Sequence, residues 1–190
     1  MLLAITFVGD TNGLYVRNQR IAPSMSIDKV KSLYGVEDTK WRSPKGLLYG
    51  WKLKEGADLV ILVDDDGSLL EATAFIDIGK NAPTRPIYAI HTYTGAKRTV
   101  SLGKTTMKQV RLWFGQSLDS ENRTKLVPRK PDVIDYVPEG TYWYGWSYEF
   151  GEEAESTLQF LAWIWHKDLK QPERWMDKQL VRVLSVGSRS

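Results

Sequence analysis

The sequence predicts an α+β fold of two tandem related modules, each a short helix packed on an antiparallel β-sheet. Two observations carry this. Met25-Ser-Ile-Asp-Lys-Val-Lys-Ser-Leu-Tyr-Gly35 is echoed by Thr105-Thr-Met-Lys-Gln-Val-Arg-Leu-Trp-Phe-Gly115, and each copy is followed by Tyr-Gly-Trp, at Tyr49 to Trp51 and at Tyr144 to Trp146. Matching order, matching caps and matching apolar positions make an internal duplication the economical reading. The second observation is that the stretches after each helix pattern alternate apolar and polar residues between turn signals, as half-buried strands do.

Taken in order, Leu3 to Val8 is apolar and partly β-branched. Gly9-Asp-Thr-Asn-Gly13 supplies turn residues before a second extended piece, Leu14 to Ile21. Ser26 can cap a helix whose Ile27, Val30, Leu33 and Tyr34 fall on one face of a 3.6-residue period. Gly35 stands where helices commonly end. In the second copy Thr105 or Thr106 caps, Met107, Val110, Trp113 and Phe114 make the face, and Gly115 closes.

Strands then follow each helix. Leu47 to Lys54 sets Tyr49, Trp51 and Leu53 against Gly50, Lys52 and Lys54. Asp58 to Val63 continues, Asp64-Asp-Asp-Gly67 turns as a tight hairpin, and Ser68 to Ile78 returns. The second copy offers Tyr142 to Phe150, Thr157 to Trp165, a turn near His166 to Asp168, a helical turn over Glu173 to Gln179, and an extended piece over Leu180 to Val186. Its loop between glycine and Tyr-Gly-Trp is longer and holds Pro128, Pro131 and Pro138. Residues 1–80 then form the first module, 81–96 a connecting segment whose Ile87 to Tyr93 run reads as a strand, and 97–190 the second module with its inserted loop.

Composition bounds the rest. With 42% apolar residues, 8 Trp, 9 Tyr and 5 Phe in 190 residues, the chain can build a packed core. No apolar run approaches the roughly 20 residues a membrane-spanning helix needs. Twenty-six basic against 23 acidic residues leave +3, dispersed without a basic run, which argues against a nucleic-acid partner. Zero cysteines exclude disulfides and thiolate chemistry. The N-terminus lacks a signal-peptide pattern. The localisation stays open between an extracellular or envelope site, had an export signal been removed, and the cytoplasm.

A short capped helix, a glycine, a variable loop and a meander with an aromatic Gly-Trp strand resembles small modules of bacterial envelope families. These are the secreted β-lactamase inhibitor proteins, which carry the module in tandem, the outer-membrane assembly lipoproteins, and domains preceding some cysteine-rich-secretory-protein-like domains. The residues bearing the resemblance are Ser26 to Gly35 with Tyr49 to Trp51, and Thr105 to Gly115 with Tyr144 to Trp146. It implies a module that binds proteins or envelope components. The inhibitor proteins carry disulfides and the lipoproteins a lipidated cysteine, and this chain has neither.

Chemistry-bearing motifs read first as structure. Ser26-Ile-Asp-Lys29 matches S-x-x-K, but a capping serine with a solvent-facing lysine accounts for it, and the second copy has Thr106 and Gln109 instead. Asp64 to Asp66 lacks the spacing and closing Glu of a Ca²⁺ loop. His91 and His166 are far apart, Glu152-Glu153 lies in a turn, and Asn122-Arg-Thr124 is a sequon short enough to arise by chance. No catalytic set, metal site or cofactor fingerprint assembles.

Aromatic residues carry more. Alternation assigns Trp51 and Trp146 to cores and sends Trp143 to the other face, beside Gly145 and Ser147. Trp163 and Trp165 share one face of their strand, and Trp41 beside Arg42 in the first variable loop is a further candidate for exposure. The expected binding residues are Trp41, Arg42, Arg129, Lys130, Tyr142, Trp143, Trp163 and Trp165. That aromatic face either meets a partner protein or is buried against the other module or a second chain. The function expected is a non-enzymatic protein-binding or inhibitor-like module of the bacterial cell envelope. Carbohydrate or cell-wall-glycan binding is the first alternative, and a hydrolase using Ser26 or the Asp64 to Asp66 cluster is the second.

Overall fold

The computed structural model describes residues 13–23, 25–76, 80–93, 96–114, 127–128, 141–150, 156–165 and 177–187, with backbone alone in 91–93, 127–128, 141–150 and 156–165. The chain runs β1 (Gly13–Val16), β2 (Gln19–Ile21), α1 (Ile27–Tyr34), β3 (Thr39–Ser43), β4 (Gly46–Leu53), β5 (Ala57–Val63) and β6 (Leu69–Phe75). It continues as β7 (Ile87–Tyr93), β8 (Ala96–Ser101), α2 (Met107–Phe114), β9 (Val127–Pro128), β10 (Thr141–Phe150), β11 (Ser156–Trp165) and β12 (Val183–Gly187). The fold is mixed α/β and mostly strand. The sequence-predicted strand over Leu3 to Val8, Gly115, Arg129, Lys130, the turn near His166 and most of the helical turn after Glu173 lie outside the described residues.

All strand pairs are antiparallel and form two sheets. The smaller has the order β2-β1-β7-β8 and the larger β3-β4-β5-β6-β12-β11-β10-β9. One face of the larger sheet lies against the core, and on the other Asp58, Leu62, Phe75, Val183 and Ser185 are also buried. Tyr49, Trp51, Leu59, Ile61, Ala72, Ala74, Leu184 and Val186 meet Leu14, Val16, Ile21, Ile87, Ala89 and Val100 of the smaller sheet, with Val30, Met107, Val110 and Phe114 from the helices, in a single core. Antiparallel sheets with one packed face produce the alternation legible in β4.

The helices begin as their residues dictate. Ser26 Oγ accepts from the Lys29 backbone N–H at 3.3 Å. Of the two candidate caps in the second copy, Thr106 takes the role: its Oγ1 accepts from the Gln109 N–H, and Gln109 Oε1 accepts from the Thr106 N–H at 2.9 Å. This is a reciprocal capping box. Thr105 instead accepts from the Ser101 N–H.

Each helix start is bridged by the same bonds to the segment that leads into a strand. Ile27 N–H donates to Gly67 O and Leu69 N–H to Met25 O, while Met107 N–H donates to Gln179 O and Val181 N–H to Thr105 O. The helix members differ by 80 positions (27 to 107) and their partners by 112 (67 to 179). In the pairing of β6 with β12, Thr73 stands opposite Ser185 at the middle of five pairs, again 112 positions apart.

Register corrects one detail of the sequence comparison. Counting outward from Thr73 and Ser185, Tyr49 pairs with Ile61 and Ile61 with Ala72, while Trp146 pairs with Phe160 and Phe160 with Leu184. Ala72 and Leu184 are 112 positions apart, so in register Tyr49 stands level with Trp146, and the two Tyr-Gly-Trp strings sit two residues out of step. A shift of two preserves the alternation of faces, so the sequence pattern could not reveal it.

Three further differences concern short polar strands. Leu14 to Ile21 is a hairpin, not one piece, turning at Arg17 and Asn18 with φ of 53° and 61°. Two positive φ angles make the primed turn that suits a hairpin, but arginine rarely advertises one. The first variable loop holds β3, and β8 was unforeseen. Both strands lie at a sheet edge and carry lysine and arginine, so neither shows the apolar alternation of a central strand.

Candidate binding surface

Strand alternation turns half of the large sheet away from the helices. On that side Trp41 of β3 stands opposite Leu48 of β4, Leu48 opposite Leu62, and Leu62 opposite Glu71. A second register row, four residues along β4 from Leu48, runs unbroken across six strands through Lys52, Asp58, Phe75, Val183, Leu161 and Gly145. Two positions along from Gly145 and Leu161, Trp143 pairs with Trp163 and also with Val127 of β9.

At the centre of this side lies a compact polar cluster. Glu71 Oε1 accepts from Thr73 Oγ1 at 2.9 Å and from Ser185 Oγ at 2.5 Å, and the two hydroxyls are 3.0 Å apart. Ser185 is buried. Each hydroxyl is satisfied inside the cluster, which closes the seam between β6 and β12.

The predicted binding residues are dispersed over this sheet. Trp41 is half-buried and Arg42 exposed on β3, and Arg42 meets Asp65 at 3.3 Å in a solvent-exposed pair. At the far end Tyr142 pairs with Ile164 and Pro128, Trp143 with Trp163, and Trp165 with Thr141. Trp41 is therefore a strand residue rather than a loop residue. Among the described side chains the most exposed large apolar ones are Val36, just past the end of α1, and Leu112 on α2, neither on this sheet. The residue the sequence reading passed over is Lys40, exposed between Thr39 and Trp41, whose ammonium lies 5.0 Å from the Tyr49 ring centre.

The residues considered for catalysis serve local structure. Ser26 is occupied as a cap. Asp64 and Asp66 both accept from the Ser68 N–H, at 2.7 and 3.1 Å. Their mutual hydrogen bond raises the Asp64 pKa and lowers that of Asp66. Among the described residues no group of three His, Cys, Asp or Glu side chains is placed to hold a metal ion.

A bidentate ion pair braces the fold. Buried Glu55 accepts from Arg17 Nε at 2.8 Å and Nη2 at 3.2 Å. That bidentate contact holds the Glu55 carboxyl below the usual range against the opposing effect of burial. Beside it Tyr34 donates to Val16 O at 3.1 Å, and burial pushes its phenol up to about 12.

No protein-family model, curated protein or solved structure matches this chain.

Proposed function

We propose that this chain is a non-enzymatic protein-binding module, built as two tandem related modules and acting in the bacterial cell envelope. Its partner would meet the helix-distal face of the eight-stranded sheet and the segment around Val127 to Pro138, of which β9 is described and 129–138 lie outside the described residues. The observation that supports the reading is the unbroken register row from Lys52 to Gly145, which joins strands of both chain halves into one sheet; within it Lys52 is exposed, and Asp58, Phe75 and Val183 are buried.

Duplication is supported by the recurring bonds at the helix starts and by the placing of Thr73 against Ser185 on a local two-fold axis. Alternation carries Trp143 and Trp163 to the face that holds Trp41, so aromatic residues flank a polar centre. Tyr142, one residue away, belongs to the opposite face. The envelope setting rests on the family resemblance. Sugar stacking is the competing reading, and the polar cluster gives it little help, since Glu71 lies three strand spacings, about 14 Å, from Trp41.

Pull-down from native extract with mass-spectrometric identification, compared with Trp143→Ala and a variant lacking the 127–138 loop, tests the surface. Loss of the same captured protein in both variants is expected. An unchanged catch in both would overturn it, and a Trp fluorescence response to cell-wall glycans would favour the sugar reading.

A further inference from the structure

The two ends of the large sheet are not equivalent. Of β9 the described residues are Val127 and Pro128, and proline has no N–H to offer a further strand. β3 contributes five residues, Thr39 to Ser43, free of proline, and among the described residues it pairs on one flank, with β4. Thr39, Lys40 and Arg42 are exposed, so solvent reaches this edge. An edge strand turns alternate N–H and C=O groups outward, which is a template for one more strand.

From this edge we infer that β3 accepts an extended segment of a partner protein as a ninth strand, one in which acidic and apolar residues alternate. The inference rests on the protein-binding reading above and names the partner's chemistry. Lys40 and Arg42 stand on the helix side of the sheet, opposite Tyr49 and Leu47. Trp41 stands on the other side, opposite Leu48. A strand laid along β3 would bring acidic residues to Lys40 and Arg42 and an apolar residue to Trp41.

A second copy of the chain fits poorly. The antiparallel self-pairing that uses all five residues centres on Trp41 and sets Lys40 directly against Arg42 of the other copy. Like charges so placed are destabilising. Arg42 is already near one carboxylate, but its pair with Asp65 is fully solvent-exposed and easily exchanged.

The test uses the full chain and the synthetic peptide Val-Glu-Val-Glu-Val, with Val-Lys-Val-Lys-Val and the order-scrambled Glu-Glu-Val-Val-Val as controls. Amide hydrogen exchange and ¹H–¹⁵N shifts are followed at residues 39–43. The alternating acidic peptide is expected to slow exchange there at least tenfold, and the controls to do nothing. Arg42→Pro, which removes an N–H that faces away from β4, should abolish the effect, and the charge-reversed pair Lys40→Glu with Arg42→Glu should transfer it to the lysine peptide. Equal protection by the scrambled peptide, or protection that survives Arg42→Pro in a folded variant, overturns the inference. So does concentration-dependent dimerisation lost in Arg42→Pro, which would assign the edge to a second copy. None of these variants alters Trp143 or the 127–138 loop, so failure here leaves the sheet-face reading standing, and failure there leaves this one.

Discussion

The two helices start alike and are braced differently. α1 and α2 are joined to the segments leading into their neighbouring strands by corresponding hydrogen bonds, yet what steadies each helix beyond its first turn is not shared. α1 is held by side chains close in sequence: Tyr34 donates to Val16 O, Trp51 Nε1 donates to Gly35 O at 3.1 Å, and Lys31 meets Glu37. α2 is held from far along the chain, where Arg111 meets Asp177 at 2.5 Å across 66 positions, and by Arg98 stacked 6.0 Å over Trp113. The shared bonds are backbone and depend on chain path. The private ones are side-chain contacts that substitution can change without altering that path.

That contrast can be broken most sharply at Trp51, which is buried and closes the end of α1. Trp51→Ala is expected to cost about 3–5 kcal/mol in urea unfolding, from lost burial and the cavity left. Next comes the Arg17–Glu55 brace. Arg17→Ala strands a buried carboxylate, and since Arg17 is itself 32% exposed the expected loss is about 2–3 kcal/mol, below the range for a fully buried pair. The folded pKa of Glu55 is depressed, so its stabilisation is present above the unfolded carboxyl pKa and lost as pH falls through the lower folded value. Acid titration of stability should therefore be shallower in Glu55→Gln than in the parent chain. A parallel acid slope in both would show that the brace is not ionic.

Tyr34 gives the alkaline counterpart. Its raised pKa favours the neutral phenol in the folded state, so its stabilisation is complete below pH 10 and declines toward pH 12. Absorbance at 295 nm should show one tyrosine titrating late, and Tyr34→Phe should remove it while costing about 1 kcal/mol for the lost hydrogen bond.

The caps sharpen the comparison further. Thr106→Ala disrupts a reciprocal box and should cost about 1–2 kcal/mol, against about 0.5–1 for Ser26→Ala. Equal losses would mean that the Gln109 contact adds nothing. At the small end, Arg42→Ala removes an exposed pair and should change stability by less than about 0.5 kcal/mol. A larger loss would show that Arg42 serves the fold rather than remaining available at the edge.

Much of the scaffold was legible because it rests on local chemistry. Ser26 and Thr106 announce helix starts, the alternation around Tyr49 and Trp51 announces a strand with one packed face, and Asp64 to Gly67 announces a hairpin. The edge strands β3 and β8 were not legible, since a strand that pairs on one side is free to carry Lys40, Arg42, Lys97 and Arg98 and reads as a loop. The candidate surface was half legible for the same reason. Trp41 was singled out as an aromatic beside an arginine, but Lys40 gained meaning only once β3 was a strand with one open flank.

By itself the sequence determined the two helices, the Ser26 cap and which side of β4 packs inward, because these follow from a residue's own backbone preferences and from the period of its neighbours. The tertiary structure alone decided that β6 pairs with β12 and β1 with β7, that Thr73 meets Ser185, and that the two Tyr-Gly-Trp strings stand two residues apart in register. Pairing between distant strands depends on how two surfaces fit, and backbone hydrogen bonds are the same for every residue that donates one. No local pattern can encode which strand finds which.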